Sequence, residues 1–214
     1  MAIKVLGIAQ STCTLRVVAV AKALNIPLEI EAVDLAKGAH KSPEYTAKYQ
    51  PFGRIPVLVE DDFVLYESRA ICRYLANKYQ TKETVQLIPT DLKQAALVEQ
   101  YISVETSEYG AAVGKYVFEV VFKPMKGGVT DPEIVAKARE EVIAALSVYE
   151  KFLEGKSYLV GESFTLADIC HLPYGHYACN AGLADVFDSP ERPNVARWWK
   201  TITNEAAWKA AIGQ

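Results

Sequence analysis

The feature that most constrains this chain is a change of pattern near residue 80. Before it, short apolar runs alternate with segments of helical period, and after it only the helical period continues. Ile3 to Ile8 is an apolar run suited to a buried strand, and Val17, Val20, Ala21 and Leu24 then recur at helical spacing. Leu28, Ile30 and Ala32 alternate with Glu29, Glu31 and Val33, the period-two pattern of a second strand. With Asn25-Ile26-Pro27 as connector, these form a β-α-β unit whose strands should run parallel. A loop rich in Lys, Gly and Pro follows. Pro56 to Val59 and Phe63 to Tyr66 then flank the acidic turn Glu60-Asp61-Asp62, which predicts an antiparallel hairpin. Ile71, Tyr74 and Leu75 mark a helix from Ser68 to near Tyr79.

The order β-α-β, loop, β-β-α is that of thioredoxin-like domains, which bind thiol compounds at the mouth of the sheet. The expected fold is therefore an α/β thioredoxin-like N-terminal domain (βαβ-ββα) over residues 1–80, a linker over 81–90, and an all-α helical domain over 91–214. The linker carries no periodicity and contains Pro89. In the second domain, Asp131 and Pro132 make a cap and first-turn pair. Ile134, Val142, Leu146, Tyr149 and Leu153 sustain an apolar stripe as far as Gly155. Phe164-Thr165-Leu166-Ala167-Asp168-Ile169 combines a capping box (Thr165 with Asp168, where Glu or Gln is usual) and a hydrophobic staple (Phe164 with Ile169). Trp198, Trp199 and Trp208 suit a core role near the end of the chain.

At 214 residues and 50% hydrophobic content, the chain can fill a sizeable core. Its 23 basic and 26 acidic side chains leave a formal charge of −3 with no block of like sign, which argues against a nucleic-acid or membrane partner. No apolar run approaches the ~18 residues of a membrane span, and no secretory leader is apparent, so a cytoplasmic location is expected. The four cysteines, Cys13, Cys72, Cys170 and Cys179, lack the spacing of a disulfide framework or zinc ribbon and should be reduced thiols. Cys170, His171, His176 and Cys179 include zinc-ligand types. Neighbours such as Cys170 and His171 point about 100° apart on a helix, however, and no metal site is expected.

Three segments carry chemistry. Ser11, followed by Thr12, Cys13 and Thr14, lies where the first strand meets the first helix, and a helix start carries unpaired N–H groups and about half a positive charge. An anion such as a thiolate is stabilised there, and a serine hydroxyl adds a donor worth about 1.5–3 kcal/mol to a charged acceptor. From position alone, Ser11 as a helix cap is the simpler reading. In Pro51-Phe52-Gly53-Arg54-Ile55-Pro56, the Ile55–Pro56 bond is a candidate cis peptide that would turn the Ile55 backbone outward to pair with an extended peptide; the alternative is an ordinary loop. At Glu67-Ser68-Arg69 a strand meets a helix start. Ser68 could hold a carboxylate there while Glu67 receives an ammonium, or Ser68 could simply cap the helix. Together the three segments would hold both ends of a small thiol peptide.

On these motifs the chain resembles the cytosolic glutathione transferases and, within them, the phi class. The matching stretches are Ser11 to Val17, Gly38 to Tyr45, Pro51 to Pro56, Leu65 to Ile71 and Phe164 to Asp168. The resemblance implies glutathione as co-substrate and a homodimer with two largely independent sites. It makes Ser11 the catalytic hydroxyl, puts His40 and Lys41 at the glycine end of glutathione, and sets Arg54 and Ile55 at its cysteinyl region. Glu67 and Ser68 would bind the γ-glutamyl end. Arg54 stands where the phi pattern usually has Gln, adding positive charge beside an anionic tripeptide. A Cys at position 11 would have implied a thiol transferase; here it is Ser, and Cys13 is offset from it, a secondary candidate for oxidation or glutathionylation.

The implied activity is conjugation of glutathione to small hydrophobic electrophiles, with reduction of organic hydroperoxides as a further possibility. The electrophile pocket would lie between the domains, with Thr12, Tyr109, Tyr116, Phe118 and Phe122 as candidate lining. A non-catalytic carrier of hydrophobic ligands is the alternative, and a regulatory protein that kept only the fold is a third.

Overall fold

The computed structural model describes residues 3–214. They divide into two compact units: residues up to Ile88 together with Ala206–Gln214, and Pro89–Glu205. The last segment, expected with the helical domain, thus belongs with the first unit.

In the first unit, β1 (Ile3–Gly7), β2 (Leu28–Ala32), β3 (Val57–Glu60) and β4 (Phe63–Tyr66) form one sheet in the order β2-β1-β3-β4. β1 and β2 are parallel, with Gly7 opposite Ala32; β1 and β3 are antiparallel, with Leu6 opposite Val57; β3 and β4 are antiparallel, with Val57 opposite Tyr66. Leu6, Val33, Tyr45 and Val57 form a buried cluster on the sheet. Helix α1 (Thr12–Ala23) buries Leu15, Val17, Ala19, Val20 and Ala21, and it packs against α3 (Ser68–Tyr79) and α11 (Ala206–Ala211). The apolar residues of α1 crowd more than one face, as a helix sandwiched between other elements requires. α11 seats Trp208 among buried residues, which explains why the tail folds with this unit. Between β2 and β3 lie a 3₁₀ turn (Ala39–Lys41) and the short α2 (Pro43–Lys48), started by Ser42 Oγ, which accepts from the Tyr45 N–H at 3.1 Å.

The second unit begins with α4 (Leu92–Val104), α5 (Gly110–Val117) and α6 (Lys123–Met125), joined by wider π-helical turns at Glu105–Tyr109 and Phe118–Phe122. There follow α7 (Pro132–Phe152), α8 (Leu166–Ala178), a kinked π segment at Cys179–Leu183, α9 (Ala184–Phe187) and α10 (Pro193–Thr203). Asp131 caps α7, accepting from the Glu133 and Ile134 N–H groups, with Pro132 in the first turn. Asp168 departs from the usual Glu or Gln of a capping box because it does more than cap. One carboxylate oxygen accepts from the Thr165 N–H and hydroxyl, and the other accepts from the Leu159 N–H and, at 2.9 Å, from the Trp198 indole. Burial pushes the Asp168 pKa up against the pull of those four donors.

Candidate active site

The register of the sheet decides where the sequence motifs meet. Leu6, Val57 and Tyr66 stand in one row across β1, β3 and β4, and Gly7 faces Ala32 of β2 at the same end. The segment after β1 (Ser11), the loop after β2 (His40 and Lys41), the segment before β3 (Arg54 and Ile55) and the segment after β4 (Glu67 and Ser68) therefore all leave or enter the sheet at a single edge.

Ser11 is half-buried at the N-cap of α1, where its Oγ accepts from the Thr14 N–H at 3.3 Å. A hydroxyl that accepts through a lone pair still has its own hydrogen to give. The capping and donor roles are thus compatible in one side chain. Thr12, the first residue of α1, is buried.

The two loops lock onto each other. Gly53 has φ +59, and a Cβ there would lie 2.6 Å from the His40 carbonyl oxygen and 2.7 Å from Lys41 Cδ, so the close approach requires glycine. Lys41 Nζ donates to the Phe52 carbonyl at 2.9 Å, and the buried Gln50 side chain accepts from the Phe52 N–H at 2.6 Å. The Tyr45 hydroxyl donates to the Arg54 carbonyl at 3.0 Å; burial pushes its pKa up to about 12, so it remains a donor. The Ile55–Pro56 bond is cis, and the Arg54 side chain is exposed. Sequence reasoning named neither Gln50 nor Tyr45 as a support, although Tyr45 closes one of its motifs.

At the third segment, Glu67 has φ +69, a conformation that strains a residue with a side chain. It turns the chain abruptly from β4 into α3, leaving Glu67 exposed and Ser68 buried as the first residue of the helix. Ser68 Oγ accepts from the Arg16 guanidinium at 2.8 Å.

The aromatic candidates in the helical unit need correction. Tyr109 is completely buried, its ring against Tyr149, His171 and Phe187 and its hydroxyl donating to the His171 carbonyl at 3.2 Å. Tyr116 is buried with its hydroxyl on the Ala181 carbonyl at 2.9 Å. Both side chains pack in the core of the helical unit. Phe118 is exposed, and Phe122 is partly exposed and stacks with Tyr177. Two surface clefts of this unit, of about 260 and 310 Å³, contain none of the expected site residues.

His171 places Nε2 at 2.9 Å from the Tyr149 hydroxyl and Nδ1 at 2.7 Å from the Ala167 carbonyl oxygen, so both ring nitrogens are engaged. Burial pushes the Cys179 thiol up to about 12. Among the described residues no group of three or more His, Cys, Asp or Glu is placed to hold a metal ion.

Comparison with known proteins bears on both units. Residues 1–77 match the family model "Glutathione S-transferase, N-terminal domain", and residues 111–206 match "Glutathione S-transferase, C-terminal domain". Glutathione S-transferase PM239X14 of Arabidopsis thaliana is 42% identical over 92% of this chain and 89% of its own. Glutathione transferase F7 of Populus trichocarpa superposes with a TM-score of 0.92 at 39% identity, covering 99% of this chain and 98% of that one. The chain belongs to the phi class of glutathione S-transferases. Maize glutathione S-transferase I, solved in complex with an atrazine glutathione conjugate, has a TM-score of 0.90 at 32% identity, covering 100% of this chain and 97% of that one. The phi-class transferase described here thus shares the thioredoxin-like first unit and the all-helical second unit of its relatives. Glutathione is the co-substrate of that family.

Proposed function

We propose that this transferase binds glutathione along the edge of its sheet, with the thiol at Ser11, and adds it to small hydrophobic electrophiles. The observation that carries the proposal is the convergence of four motif-bearing segments on one edge, with the Ser11 oxygen engaged by the Thr14 N–H and its hydrogen still available to donate. In this reading the γ-glutamyl carboxylate meets Ser68 and its ammonium meets Glu67. The peptide backbone pairs with Ile55, and Arg54, His40 and Lys41 face the cysteinyl and glycine regions. The thiol of free glutathione, with a pKa of ~8.5, is mostly protonated at neutral pH. Donation from Ser11 and the start of α1 favour the thiolate. The sulfur lone pair then attacks the electrophilic carbon, and a leaving group departs with its electron pair or, in an addition, a proton is taken up from water. The same thiolate can attack the terminal oxygen of a hydroperoxide, breaking the O–O bond to release an alcohol and leave glutathione sulfenic acid, which a second glutathione converts to the disulfide with loss of water, so peroxidase activity is part of the proposal. So is a cytoplasmic location.

The test is glutathione-dependent turnover of a chlorinated nitrobenzene, an isothiocyanate and cumene hydroperoxide by wild type and Ser11→Ala. We expect Ser11→Ala to lower kcat by about a hundredfold at neutral pH with little change in glutathione affinity, because without the donor more of the bound thiol stays protonated and only the thiolate attacks. Near-normal conjugation by the variant would remove Ser11 from its role. Glutathione binding without turnover in wild type would make the protein a carrier of hydrophobic ligands instead.

The implied homodimer is also a proposal. It is supported by apolar side chains exposed in each unit, Phe52 at 67% and Leu92 at 84%, which a partner would shield from water.

A further inference from the structure

We infer that Arg16 is a positioning residue for glutathione, acting through Ser68. The inference rests on the proposal that Ser68 meets the γ-glutamyl carboxylate.

Arg16 lies in the second turn of α1 and is completely buried. Its Nη1 donates to Ser68 Oγ at 2.8 Å, across 52 residues of sequence, and lies 3.8 Å from Cys13 Sγ. A guanidinium has five donors and no acceptor and keeps its charge throughout the working pH range. In this bond the Ser68 oxygen can therefore only accept. Its hydrogen is turned away from Arg16 and is free to donate elsewhere, and the neighbouring positive charge makes that hydrogen a stronger donor. Ser68 is the first residue of α3, where backbone N–H groups lack helical partners, so hydroxyl and helix start can address the same carboxylate.

The side chain also joins the two helix starts of the site. α1 carries Ser11 at its cap and α3 carries Ser68 at its first residue, and Arg16 spans from one helix to the other. Both serines follow the same plan: each oxygen accepts from the protein, Ser11 from the Thr14 N–H and Ser68 from Arg16, so that each hydrogen is left for the ligand.

The two serines nevertheless act at different stages. The thiolate charge at Ser11 changes during reaction, whereas the γ-glutamyl carboxylate is charged from binding to product. An interaction with the carboxylate is uniform binding, which changes KM and leaves kcat alone. Arg16→Gln should therefore raise the KM and Kd for glutathione about tenfold while kcat stays within about twofold. Ser68→Ala should do the same, and the two changes should be strongly non-additive, because once the hydroxyl is gone Arg16 no longer has it to orient. Arg16→Lys, which keeps the charge and one donor, should recover part of the affinity. Should Arg16→Gln fail to fold, Arg16→Lys takes its place beside Ser68→Ala, singly and together, with the same readout.

The decisive experiment is calorimetric titration with glutathione and steady-state kinetics on these single and double variants, with melting temperatures recorded in parallel. A rise in KM at constant kcat, absent in the Ser68→Ala background, supports the inference. An unchanged KM, a loss confined to kcat, or full additivity with Ser68→Ala overturns it. If wild type shows no glutathione-dependent turnover, the proposed function itself fails; if wild type is active and Ser68→Ala weakens glutathione while Arg16→Gln does not, only the role of Arg16 is lost.

Discussion

Glu60 closes β3 and accepts from the Lys78 ammonium at 2.7 Å, from the Tyr79 hydroxyl at 2.6 Å and from the Tyr74 hydroxyl. Lys78 first, then Tyr74 and Tyr79, hold its carboxyl at about 2, well below its ordinary value of 4.5. A carboxylate with a depressed folded pKa contributes its full stability above the unfolded value and loses it as pH falls through the folded one. The same contact raises Lys78, whose contribution persists until pH climbs above the ordinary lysine value. We expect Glu60→Gln to be less stable than wild type at neutral pH, with the gap closing between pH 4.5 and about 2 in denaturant titrations. A gap of constant size across that window would show that the clamp does not depend on the Glu60 charge.

At the scale of elements, α11 and α1 depend on each other. Trp208 of α11 is buried, and removing its side chain should leave a cavity costing about 3–5 kcal/mol. Trp208→Ala should therefore unfold at markedly lower urea than wild type; a difference under about 1 kcal/mol would mean the site collapses without harm. That α11 packs with the first unit was not legible in the sequence, because an apolar helical stripe records that a face is buried and not what buries it. Much else was legible. The strands around the acidic turn and the helix from Ser68 to Tyr79 appear where the periodicities put them, since period two and period 3.6 are direct consequences of backbone geometry. Ser11 was readable as a helix cap because it stands at a strand-to-helix junction; at the similar junction before α3 the cap position is held by Glu67, and Ser68 is the first helical residue. Glu60 was not readable, since an acid at a turn reads as solvated until its three donors are seen. Tyr109 and Tyr116 were offered only as candidate lining, because spacing could not tell cleft from core in this stretch. The π-helical turns at Glu105–Tyr109 and Phe118–Phe122 rotate the face presented by this helical run, and sequence spacing assumes a constant pitch.

For the whole molecule, the proposed dimer makes a direct prediction: sedimentation at micromolar concentration should give twice the chain mass, and Phe52→Asp should shift the protein toward monomer. A wild-type monomer would remove the assembly, while an unaffected Phe52→Asp dimer would place its contacts elsewhere. A different consequence follows from the tail. α11 completes the unit that carries Ser11 and Ser68, yet in the order of synthesis it follows all of Pro89–Glu205. At ~5–20 residues per second, the nascent first unit must wait on the order of ten seconds for its last helix to leave the ribosome. Throughout that interval the face of α1 that packs against α11 lacks that helix, so a prematurely terminated chain is marked by an open seam that quality-control proteases and chaperones can recognise.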